Sequence, residues 1–137
     1  MIATSDLRLG NCVHESECTR YPMYVHTIGE DYVYLNFDGN EGDVFECKPE
    51  ELQGIPITEE LLEKMGFSRE IIGFWRKQEE GYIVDVNVGL AYIQIEKWTG
   101  GRIHSRCTCH GVRFVHELQN LFKAIINDDL KIDIWNK

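Results

Sequence analysis

The stretch Arg113–Asn127, RFVHELQNLFKAIIN, decides the fold class of this sequence, because it is the most strongly amphipathic segment in it. Phe114, Val115, Leu118, Leu121, Phe122, Ile125 and Ile126 recur at steps of three and four, so they share one side of a helix. His116, Asn120, Lys123 and Asn127 fall on the other side. So wide an apolar stripe needs a surface to cover it, and the strand-like segments upstream are the natural candidates.

Those segments begin near the start of the chain. Leu7, Leu9 and Val13 surround Gly10-Asn11, a short strand with a tight turn. Residues 15–21 are polar and read as a loop, and residues 22–28 as a strand. Gly29-Glu30-Asp31 is a turn, followed by strict alternation over 32–37, with Val33, Leu35 and Phe37 on one face. Residues 38–43 form a loop of turn residues, 44–48 a further strand, and Pro49–Leu52 one helical turn. This succession predicts a small SH3-like barrel or a curled antiparallel sheet.

Thr58 opens a short helix over 58–66. Its hydroxyl can cap a free backbone N–H, Glu59 and Glu60 suit the positive end of the helix dipole, and Ile57 and Leu62 can form a hydrophobic staple. Gly66 can take the left-handed position after the last turn. A β-meander over 72–108 follows, its last strand polar and placed at an edge, and then the 113–127 helix. Residues 130–135 can add a final strand. The class is α+β: a β lobe over 1–54, then an α+β lobe over 55–137 with the sheet backed by one amphipathic helix, the two lobes sharing one core if they form a single compact domain.

With 137 residues and 43 % apolar composition the chain can bury a core without disulfides or metal. The net charge of −9 argues against general nucleic-acid binding and against an anionic membrane surface. Arg102, Arg106 and Arg113 come closest to a basic patch. Residues 1–6 lack the basic and apolar runs of a secretory signal, so a cytoplasmic protein with free thiols is expected.

Cys107-Thr108-Cys109-His110, with His116 beyond, holds residue types that bind zinc. A structural knuckle uses Cys-x₂-Cys, however, and no second pair stands at that spacing. No metal or other cofactor is therefore expected, and Cys107, Cys109, His110 and His116 are the residues that would supply ligands if one bound. Cys12 and His14, two apart on a strand, are the pair that could share a face and serve cysteine-based catalysis. No phosphate-binding loop, dinucleotide fingerprint or metalloprotease motif is present.

Three segments carry a resemblance: Leu7-Arg8-Leu9-Gly10-Asn11, the run from Ile55 to Phe67 (IPITEELLEKMGF), and the run from Val115 to Phe122 (VHELQNLF). In order and spacing they are similar to a family of small proteins encoded by gut Bacteroidetes and their phages or prophages. The resemblance implies no catalytic residue and no cofactor. That family usually leaves the helix by a Thr-Gly turn and an acidic stretch, where this chain has Ile126-Asn127-Asp128-Asp129. The functional expectation is a non-enzymatic binding or accessory protein, phage- or mobile-element-derived, with a protein partner or self-association. The polar side of the helix, His116, Gln119, Asn120 and Lys123, is the expected interaction surface. The alternatives are a small cysteine/histidine-dependent enzyme and an acidic nucleic-acid mimic.

Overall fold

The computed structural model describes residues 2–15, 18–36, 44–71 and 73–130, with the backbone alone for 18–21. The fold is α+β: two five-stranded antiparallel sheets and one main helix. The chain forms two compact units. Among the described residues, the first holds those up to Pro56 together with Phe114–Asn120, and the second holds Ile57–Arg113 and residues 121–130.

In the first unit a 3₁₀ turn (Thr4–Asp6) precedes β1 (Cys12–Glu15), β2 (Cys18–Ile28), β3 (Val33–Asn36) and β4 (Val44–Cys47). A second 3₁₀ turn (Pro49–Glu51) leads into β5 (Leu52–Gly54), which returns to pair with β1. The order β4-β3-β2-β1-β5 is an antiparallel meander whose last strand returns to β1. The sheet is curled rather than closed, since no ladder joins β4 to β5 among the described residues. Register shifts between Val13 and Glu15 and between Val25 and Thr27 are irregularities of the kind that bend strands. Val13, Met23, Val25, Val33, Leu35 and Leu52 form its core with Ile2, Leu7 and Cys47.

The loop expected over 15–21 is shorter than its polar sequence implied. Glu15 pairs with Cys18, and β2 begins at Cys18. A ladder is made by the backbone, to which hydrophobic periodicity is blind. The expected turn-rich loop at 38–43, Phe37 before it and the final strand at 131–135 lie outside the described residues.

The second unit opens with α1 (Glu59–Lys64), bounded as its local signals predict. Thr58 Oγ1 accepts the Leu61 N–H at 3.2 Å, Gly66 has φ +92°, and the Phe67 N–H returns to the Leu62 carbonyl at 2.9 Å. The strands are β6 (Ser68–Arg69), β7 (Phe74–Glu79), β8 (Tyr82–Asn87), β9 (Tyr92–Thr99) and β10 (Arg102–His110), in the order β10-β9-β8-β7-β6. Trp75, Val84, Val86, Ile93 and Ile95 make the buried face. The opposite face carries Arg76 bonded to Asp85 at 2.7 Å and Arg106 bonded to Glu96 at 2.8 Å.

The long helix α2 spans Val115–Ile126. Glu117 Oε1 accepts the Phe114 N–H at 3.1 Å, which fixes where the helix starts. Its residues up to Asn120 belong to the first unit and those from Leu121 to the second. Within the second unit the Phe122 ring stands edge-on to Tyr82, centroids 5.0 Å apart.

Candidate functional site: the β10 edge

Of the residues that sequence pattern singles out, Cys107 and Cys109 are brought together. β10 pairs with β9 at Cys107↔Ile95 and Cys109↔Ile93, so both thiols point to the side of the sheet that carries Ile93 and Ile95. Both are half-buried, and their sulfurs lie 3.6 Å apart. Burial pushes the Cys109 thiol up, and the hydrogen bond and charge of Cys107 add to this. His110 is on the other face, its ring 5.2 Å from that of Tyr92. Among the described residues no group of three or more His, Cys, Asp or Glu side chains is placed to hold a metal ion.

Cys12 lies in the first unit and is fully buried. Burial drives its thiol up to about 12, against the opposing effect of the Gln119 amide, whose Nε2 stands 3.8 Å from the sulfur. A thiol held protonated and shielded from solvent is no nucleophile at neutral pH. The neighbouring His14 is half-buried and its basicity is lowered by that burial.

The polar side of α2 is occupied by internal bonding over its first two turns. His116 is only 4 % exposed, its ring stacked on Phe114 at 5.9 Å, and its Nδ1 has no hydrogen-bond partner. Gln119 accepts the Cys12 N–H at 2.8 Å and donates to the Gly10 carbonyl at 3.2 Å. Asn120 accepts from the Asn11 side chain at 2.9 Å and donates to the Asp6 carbonyl at 2.6 Å. In the second unit Lys123 pairs with Asp129 at 3.6 Å. Asn11, 2 % exposed, is the residue that sequence pattern did not single out. The available signal was the Gly10-Asn11 pair, read as a tight turn, and Gly10 does adopt φ +87°.

One open pocket of about 560 Å³ lies between the 79–82 and 99–101 turns of the second sheet, lined by Gln78, Glu79, Gly81, Ile83 and Trp98 among others. Its carboxylates, Glu79 and Glu80, are exposed, and the Trp98 Nε1 is buried without a partner. The pocket therefore offers no converging acid and base.

The β10 edge is different. This nine-residue strand ends the sheet, and no strand pairs with its outer side among the described residues. Arg102, His104 and Ser105 are exposed, and so is the apolar Ile103, at 42 %. The Gly111 N–H bonds the Ala91 carbonyl at 2.8 Å, which sets the phase of the ladder. By antiparallel alternation the backbone N–H and C=O groups of Arg106, Thr108 and His110 then point outward. β10 contains two arginines, two histidines and no carboxylate, in a chain of net charge −9.

Comparison with protein-family models, curated proteins and solved structures finds no match. No helix among the described residues is long and apolar enough to cross a membrane.

Proposed function

We propose that this is a non-enzymatic, cytoplasmic binding protein, of mobile-element origin as the sequence resemblance implies, whose partner is a protein taken up by strand addition on β10. The observation that carries this reading is the long edge itself, which no strand pairs among the described residues. Its outward N–H and C=O groups form a row that an extended chain can complete, and such edges are otherwise kept short or covered. The charge of the edge selects the partner. A cationic strand on an acidic protein favours an extended acidic segment, which gains from Arg102 and is steered to the edge rather than to the rest of the surface. Self-pairing is disfavoured. Two antiparallel copies centred on Arg106, the midpoint of β10, set Arg106 against itself and Arg102 against His110.

The test is a titration with a labelled peptide of alternating Glu and Val residues, with an alternating Lys–Val peptide as control. The acidic peptide should bind and should slow amide exchange at Arg106, Thr108 and His110. Arg102→Glu should weaken it about tenfold, the scale of one exposed charge contact. Equal binding of both peptides, or exchange protection confined to other strands, would overturn the reading.

A further inference from the structure

The two thiols of β10 have a geometry of their own, and it does not depend on what the backbone edge takes up. Residues two apart on a strand are separated by about 6.6 Å along the chain. The Cys107 and Cys109 sulfurs are nevertheless 3.6 Å apart, so the side chains lean toward one another across Thr108. Both are free thiols, well beyond the bonded distance of about 2.05 Å in a disulfide.

Their separation discriminates among the soft centres that thiols bind. A tetrahedral ion with sulfur bonds of about 2.3 Å holds two sulfurs about 3.8 Å apart, which is close. Such an ion needs four ligands, however, and no third His, Cys, Asp or Glu joins the pair among the described residues. A linear two-coordinate ion sets its sulfurs on opposite sides, farther apart than these. A pyramidal three-coordinate centre fits both constraints: its bond angles, not far above a right angle, keep two sulfurs close, and its third position is filled from outside the protein.

We propose that Cys107 and Cys109 form a chelating dithiol that captures a trivalent arsenical. The step is a condensation. Two S–H bonds and two As–OH bonds are exchanged for two As–S bonds, and the protons leave with the hydroxyls as two waters. Arsenic stays trivalent and the sulfurs are not oxidised, so no electron donor or acceptor is needed. The half-buried position on an edge strand leaves both sulfurs open to a small reagent.

The experiment titrates phenylarsonous acid into the full chain, reduced with a phosphine so that no competing dithiol is present. Intact-mass spectrometry reads the stoichiometry, and displacement by a free dithiol reads the affinity. Wild type should take up one equivalent with loss of two waters. Cys107→Ser and Cys109→Ser should each weaken binding on the order of a hundredfold, the advantage of two linked ligands over one. Both positions are half-exposed on an edge strand, and unchanged far-ultraviolet circular dichroism will establish that the variants fold. Wild-type affinity in either single variant would place the arsenical on other thiols and overturn the proposal. So would the absence of tight binding to the wild type.

Discussion

Gln119 acts on the backbone of residues 10–12 as a neighbouring strand would, its amide accepting the Cys12 N–H at 2.8 Å and donating to the Gly10 carbonyl at 3.2 Å. Cys12 is fully buried, so its N–H has no water to turn to if the amide is removed. Gln119→Ala should therefore cost about 1–3 kcal/mol, the desolvation penalty of an orphaned donor, seen as a lower urea midpoint with unchanged slope. Gln119→Glu keeps the acceptor for Cys12 but loses the donor to Gly10, and should fall between the two. If Gln119→Ala unfolds at the wild-type midpoint, the amide bonds do not hold this corner. The helical periodicity of 113–127 gave the axis and the apolar stripe correctly, and Val115, Leu118 and Phe122 are buried. It placed His116, Gln119 and Asn120 opposite that stripe, but a helical wheel reports only angles about the axis. It does not say how many sides of a helix are covered, and here the polar amides meet a polar backbone corner built by Asp6, Gly10 and Asn11.

Elements whose signals are local were legible in full. For α1 the cap, the acidic first turn and the left-handed Gly66 all lie within a dozen positions, and each is found where its chemistry requires. The period-two strands of the second sheet were legible for the same reason, and the polar character of β10 marked it as an edge. β5 and β6 were not, because three and two residues carry no period, and their existence depends on partners elsewhere in the chain. Gly54 in β5 is an example of such a dependence. It pairs with Val13, and a Cβ there would stand 2.6 Å from the Phe114 ring and 3.1 Å from the His116 ring. The backbone must come this close because the Val115 N–H bonds the Ile55 carbonyl at 2.8 Å and Pro56 bridges Phe114. An aromatic ring held between such contacts cannot step aside as the end of a lysine could. Gly54→Ala should destabilise by about 1–3 kcal/mol, the range for overpacking. Gly100→Ala makes a useful contrast, since a Cβ there meets nothing within 4 Å and only the strain of φ +60° remains. Thermal unfolding of the two variants side by side will separate crowding from backbone strain: equal losses would argue that packing against Phe114 is not the constraint.

For the whole molecule, acidification sets two effects against each other. The chain carries −9 at neutral pH, and protonating carboxylates relieves that self-repulsion, which favours the folded state. His14 and His116 work in the opposite direction. Both are lowered from the ordinary 6.5 by burial, and at His116 the nearby Glu117 and Asp6 charges offset this only in part. A histidine that is a weaker base when folded is protonated first in the unfolded chain, so between the two values the unfolded state holds more protons. Stability then rises with pH in that window: the histidine contribution is intact above about 6.5 and is lost as pH falls below it toward the folded value. Each group can supply a slope of at most about 1.4 kcal/mol per pH unit. From the two histidines, unfolding free energy should decline from pH 7.5 to 5.5. His116→Gln removes one of the two titrations without touching the carboxylates. It will shift the baseline stability by an amount set by packing, but the diagnostic quantity is the slope. The variant should show a shallower decline over the same interval in a series of urea melts. A slope equal to that of the wild type would mean that His116 takes up its proton as readily folded as unfolded, which a ring 4 % exposed with an unpartnered Nδ1 does not allow unless the helix start opens first.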